Sequence, residues 1–185
     1  VSYMGFVNDE DESALDTLPT VSSAATATSP VGGYTLTASG ATAANYNTVH
    51  FTGTLTVTKA PLGIRADDLF REFGVANPTL AATYTGFVNG EDENVLDTPV
   101  SLSTTATAVS PLGAYPITAF GALDANYEIT HTNGTLTIAQ AILRIRAIDA
   151  ARIYGDSNPT FTLTYEGFAP GDDESSLDTP ATVAT

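Results

Sequence analysis

Three acidic runs hold the residues best equipped for chemistry: Asp9-Glu10-Asp11-Glu12, Glu91-Asp92-Glu93 and Asp172-Asp173-Glu174. Calcium takes six to eight oxygen ligands, and a loop offering several carboxylates plus backbone carbonyls supplies part of that shell. Each run is therefore a candidate weak calcium site, with Asp9, Glu10, Asp11, Glu12, Glu91, Asp92, Glu93, Asp172, Asp173 and Glu174 as ligands. The spacing argues the other way. Consecutive carboxylates on extended backbone point alternately to opposite sides, and the Asp-x-Asp-x-Asp spacing of an EF-hand loop, with its glycine, is missing. A solvated turn that keeps an acidic chain soluble accounts for the same residues. The expectation is no cofactor, with calcium as the alternative.

Other side chains offer less. His50 and His131 are the only histidines, and neither has a nucleophile or second histidine placed locally to make an acid-base pair or a ligand set. Their strand parity with Tyr46 and Tyr127 predicts partly buried edge positions. Arg65, Arg71, Arg144, Arg146 and Arg152 are expected to serve as local counterions to the carboxylates rather than as a binding stripe. Asp67, Asp68 and Asp149 would lie near module junctions, but only Asp68 and Asp149 share a repeat position, which weakens a shared ion there. Tyrosines at fixed positions are expected to pack in the core; the competing reading is a sugar-stacking platform. Lys59 is the only lysine, which argues against an internal isopeptide bond. No catalytic residue is expected, and the chain is read as not an enzyme.

The elements that position these residues come from a repeat. Tyr3, Tyr84 and Tyr165 each open a Tyr-x-Gly-Phe at an interval of 81 residues. The same offset relates Asn45-Tyr46 to Asn126-Tyr127, His50 to His131, and Gly53-Thr-Leu-Thr to Gly134-Thr-Leu-Thr. A fixed period of this kind sets the architecture as a tandem array. One complete unit spans 60–140, flanked by incomplete units at 1–59 and 141–185. Both ends fall inside a unit, so the chain is expected to be a window on a longer array. Half-modules expose sheet edges, and the competing expectation is that the tail of one copy completes the head of another in a fibre.

Within a unit, Leu55 and Val57 (Leu136 and Ile138) alternate with threonines, as do Leu62, Ile64 and Ala66 (Leu143, Ile145 and Ala147) with polar positions. That period of two predicts half-buried strands. A third strand is expected at Tyr34, Leu36 and Ala38 (Tyr115, Ile117 and Ala119). Gly74 and Gly155, each followed by Asn-Pro, predict a turn into a Tyr-x-Gly-Phe strand. A hairpin is expected to turn at Thr52-Gly53 and Asn133-Gly134. Each acidic run leads to Leu-Asp-Thr through at most a short helical turn. The fold class is all-β: mainly β modules of about five strands in an elongated array of ~81-residue units.

Composition narrows the partners. Twenty-one acidic and six basic residues leave a formal charge of −15, which argues against nucleic acid or an anionic membrane. No apolar run approaches the roughly 20 residues of a membrane-spanning helix, so no membrane insertion is expected. The chain lacks cysteine, which excludes disulfides and thiolate metal sites and suits an exported bacterial protein.

The ordered motifs Tyr-Gly-Asp-Ser-Asn-Pro (154–159), Tyr-Glu-Gly-Phe (165–168), Gly-Ala-Tyr-Pro-Ile-Thr (113–118), Ala-Asn-Tyr (125–127) and Gly-Thr-Leu-Thr-Ile (134–138) resemble the MBG repeat of the YGX type. One departure is Phe73-Gly74-Val75, where the second copy has Tyr-Gly-Asp. The resemblance covers the whole chain and implies β-grasp-like modules in large bacterial surface and secreted proteins. It implies an extracellular stalk, filament or matrix fibre; the alternative is an adhesive module that binds carbohydrate or protein. It implies no catalytic residues. The partners it suggests are neighbouring repeats of the same chain.

Overall fold

The computed structural model describes residues 1–183. Its strands in chain order are β1 (Thr20–Ser23), β2 (Gly32–Ser39), β3 (Gly53–Val57), β4 (Ala60–Ala66), β5 (Leu69–Glu72), β6 (Ala82–Thr85), β7 (Ser101–Thr104), β8 (Gly113–Phe120), β9 (Tyr127–Thr132), β10 (Gly134–Ala139), β11 (Arg144–Ala147) and β12 (Leu163–Glu166). Three 3-10 turns, Glu12–Ala14, Glu93–Val95 and Glu174–Ser176, follow the acidic runs. The fold is mainly β, and the alternation seen in the sequence sets the inward faces. Leu62, Ile64 and Ala66 of β4 are buried while Arg65 between them is exposed; Leu136 and Ile138 of β10 are buried around exposed Thr137.

The strands form sheets of order β1-β2-β3, β5-β10-β8-β7, β6-β4-β9 and β11-β12. By contacts the chain divides into two compact units, Val1–Gly63 with Tyr84–Pro99 and Ala122–Thr130, and Ile64–Thr83 with Val100–Gly121 and His131–Thr185. This division does not follow the sequence repeats. In the first unit, β2 pairs antiparallel with β1 and β3, placing Tyr34 opposite Leu55. In the second, β10 pairs antiparallel with β8 and parallel with β5, placing Leu136 between Tyr115 and Leu69. The core of that unit gathers Ala66, Ala106, Ile117, Ala119, Leu136 and Ile138. Each fully buried aliphatic side chain of this size stabilises by about 1.5–3 kcal/mol.

Several sequence expectations change. The complete repeat has seven strands rather than about five: β5 and β7 are four residues long and too polar for an alternation signal to stand out. The Tyr-x-Gly-Phe strand ends at Thr85, because Gly86 turns with φ +117° and a Cβ there would lie 2.4 Å from the Pro61 carbonyl oxygen. The hairpin at Asn133-Gly134 does not form, since β9 and β10 belong to different sheets. Gly134 serves close packing instead, its α-carbon face lying against the Ala66 and Asp67 carbonyls. His50 and His131 are exposed rather than partly buried: β9 buries Tyr127 at its start and then runs out into solvent at His131, and His50 lies in a segment that is not a strand.

Candidate functional site

The acidic loops are built the same way in each copy. Asp11, Asp92 and Asp173 sit at the N-cap of the 3-10 turn, where Oδ1 accepts from the backbone N–H of Ser13 (2.8 Å), Asn94 (2.9 Å) and Ser175 (2.8 Å). A capping carboxylate satisfies donors the turn leaves free. Hydrogen bonding by Ser13, through its side chain and then its backbone, holds the Asp11 carboxyl below the usual range. Ser175 does the same for Asp173.

A tyrosine from later in the repeat closes the loop. The Tyr127 hydroxyl donates to Glu91 Oε2 at 2.5 Å and accepts from the Val88 backbone N–H at 3.0 Å. Tyr46 repeats the arrangement, donating to Glu10 and accepting from Val7 N–H at 3.1 Å. Burial, followed by the bond to Glu91, raises the Tyr127 phenol above its ordinary value; for Tyr46 the bond to Glu10 is the main cause of the rise. The third copy differs: Tyr165, the counterpart of Tyr84 and earlier in the chain than its loop, donates to Glu174 Oε1 at 3.1 Å.

The structure thus engages Glu10, Asp11, Glu91, Asp92, Asp173 and Glu174 in internal bonds. Asp9, Glu12, Glu93 and Asp172 lie exposed on the same loops. Among the described residues, no three His, Cys, Asp or Glu side chains converge into a set able to hold a metal.

Of the recurring tyrosines Tyr127 is buried and the others are partly buried. Phe87 meets Tyr84 at 5.7 Å and Tyr127 edge-on at 5.4 Å, and Phe6 meets Tyr46 edge-on at 5.4 Å. The arginines divide. Arg65 pairs with Asp68 at 2.5 Å, and Asp68 also accepts from Thr135 N–H at 2.8 Å; these bonds, Arg65 first, lower the Asp68 carboxyl. Arg71 is not the expected counterion: it is buried and donates to Asn77 Oδ1 and to the Glu72 and Thr107 carbonyls.

Sequence reasoning also missed the junction between the first two repeats, which lies within the first compact unit. Lys59 Nζ donates to the carbonyls of Asp124 (2.9 Å) and Tyr127 (3.2 Å). Asn126 accepts from Val31 N–H through Oδ1 (3.0 Å) and from Ala60 N–H through its carbonyl (2.9 Å). Lys59 offered a signal as the sole lysine of the chain, placed at a repeat boundary.

The first two copies thus share one loop lock, Asp at the N-cap and Tyr on the preceding Glu at a spacing of 36 residues, while the third keeps the N-cap Asp173 and binds the following Glu174 through Tyr165. The model of the MBG domain, YGX type, matches residues 1–56, 62–137 and 143–185. The chain belongs to the MBG family. Its three matched segments cover nearly all of it and account for the repeat. The MBG domain is a surface-type repeat module and not a known enzyme family. Neither a curated protein nor a solved structure matches the chain.

Proposed function

We propose that this MBG chain is a non-enzymatic structural segment of an extracellular bacterial stalk, filament or matrix fibre, in which each module acts as a spacer joined stiffly to the next. The observation that carries this reading is the junction held by Lys59, Ala60, Asn126 and Val31. Three hydrogen bonds, two from Lys59 and one from Val31, tie the first repeat to the second, and a linker so flanked loses the freedom a flexible coil would retain. The packed rings of Tyr84, Phe87 and Tyr127 support a structural part for the aromatics, which leaves the adhesive alternative without a platform at those positions.

The test uses two spin labels in the cysteine-free chain, at Val21 on β1 and Glu128 on β9, with the distance distribution measured by pulsed dipolar spectroscopy. A narrow distribution is expected, broadened by the double substitution Lys59→Ala with Asn126→Ala. A broad distribution in the parent chain would remove the stiff-spacer reading.

The acidic loops belong to the same proposal as self-satisfied turns needing no cation. Calcium added after chelation is expected to leave the melting temperature unchanged. A site filled at a hundredfold over its Kd would add about 2.7 kcal/mol, so a clear upward shift would reinstate the loops as ligands.

A further inference from the structure

The outer face of the sheet β5-β10-β8-β7 belongs to the middle repeat, which is whole. Strand alternation turns Ile117, Ala119, Leu136 and Ile138 into the core and turns Phe70, Ser101, Ser103, Thr118, Thr135 and Thr137 outward. Register joins them into one surface, with Thr137 beside Phe70 and Ala114, Thr135 beside Pro116, Thr118 beside Ser103, and Phe120 beside Ser101. Phe70 is 61% exposed and Phe120 48%. The two rings stand toward opposite corners, and the diagonal between them crosses Thr137, Thr135 and Thr118.

Charge sets this face apart. A soluble surface ordinarily holds about a quarter to a third charged residues, and the chain carries 21 acidic ones. Here Glu72, at the end of β5, is the single charged side chain. The outward hydroxyls are also free. Among the described residues those of Ser101, Ser103, Thr118, Thr135 and Thr137 make no hydrogen bond, whereas elsewhere in the same unit Thr83 donates to Asp67 Oδ1, Thr104 accepts from Ala106 N–H and Ser110 from Thr107 N–H. Each free hydroxyl offers one donor and two acceptor lone pairs. The array recurs: Thr20, Ser22, Thr37, Thr54 and Thr56 of β1, β2 and β3 stand 81 residues before these five.

We propose that this face binds an extended, uncharged polysaccharide laid along the diagonal from Phe70 to Phe120. The hydroxyls exchange hydrogen bonds with sugar hydroxyls, which donate and accept as they do, and the phenyl rings cover the apolar C–H faces of the sugar. Charge argues against the other occupants. Nucleic acid, an anionic membrane, an acidic glycan and a second copy of this chain all meet a net −15, with no cation on the face to offset it. A protein interface draws on aromatic residues and Arg at its centre and is depleted in Ser and Ala, the reverse of what lies between the two rings. A neutral hydroxylated polymer needs no charged partner. The inference goes beyond the spacer reading, and its test leaves the Lys59 junction untouched.

The probe is cellohexaose, an extended neutral oligosaccharide, titrated into the isotopically labelled chain while amide chemical shifts are followed. Saturable shifts confined to β5, β7, β8 and β10 are expected at millimolar or lower concentration, and polygalacturonate, the anionic control, is expected to produce none. Thr137→Glu places a charge on the diagonal and should weaken binding about tenfold or more; Phe70→Ala should weaken it as well. Both positions are exposed, so the melting temperature is expected to stay unchanged, which separates a lost contact from a lost fold. Absence of shifts, shifts that map elsewhere, polygalacturonate binding as tightly, or Thr137→Glu binding like its parent each overturns the inference. Shifts that change on dilution without sugar overturn it too, in favour of a second copy on the same face. The spin-label distances report on the spacer reading alone, so either can fail without the other.

Discussion

Replacing Arg71 with alanine is expected to destabilise the second compact unit by about 2–4 kcal/mol, while Arg152→Ala, at the same repeat position, changes stability by less than about 0.5 kcal/mol. Arg71 is 4% exposed. Its Nε donates to Asn77 Oδ1 at 2.8 Å, Nη1 to the Glu72 carbonyl at 3.0 Å and Nη2 to the Thr107 carbonyl. Asn77 in turn donates Nδ2 to the Ala106 carbonyl at 2.6 Å. The guanidinium therefore joins β5 to the loop after β7, and its removal strands three acceptors in a place water reaches poorly. Arg152 donates to the Ile153 and Asp156 carbonyls at the surface, where water replaces it. Arg71→Lys keeps the charge but not the planar fork, so it should fall between the two. The chain has two compact units, so the measurement is hydrogen exchange of the β8 and β10 amides rather than a single melting curve. Equal effects at positions 71 and 152 would show that the buried network holds nothing.

The contrast between these arginines shows what the sequence makes legible. Strand positions were readable wherever aliphatic and polar residues alternate, as at Leu62-Gly-Ile-Arg-Ala66 and Gly134-Thr-Leu-Thr-Ile138, because one buried face imposes a period of two. The repeat carried the family and the mainly β class. Polar residues with tertiary partners were not readable. Arg71 and Asn77 lie six residues apart, and the carbonyls they hold belong to Ala106 and Thr107, roughly thirty residues on. Asn77 precedes proline and looked like punctuation, though it also staples the core. Among the acidic loops, the run itself was visible but the Tyr127 hydroxyl that binds Glu91 comes 36 residues later. The recurrence of Tyr46 and Glu10 at the same offset was the available signal. Metal ligation and internal locking call for the same residue types, and only the spatial arrangement separates them.

Gly134→Ala is expected to cost about 3 kcal/mol, whereas Gly53→Ala, its counterpart in the first repeat, should leave the folded chain unaffected. A Cβ at position 134 would stand 2.4 Å from the Ala66 carbonyl oxygen, 2.6 Å from that of Asp67 and 2.8 Å from the Ala66 carbonyl carbon. All three are backbone atoms at the end of β4 and the residue after it, so no side chain can rotate away, and the strands must separate around core residues Ala66 and Leu136. At position 53 the nearest atoms are Leu36 Cβ and Cδ1 at 3.6 Å, an ordinary contact. Chemical denaturation of the two variants, followed by hydrogen exchange in each unit, measures the difference.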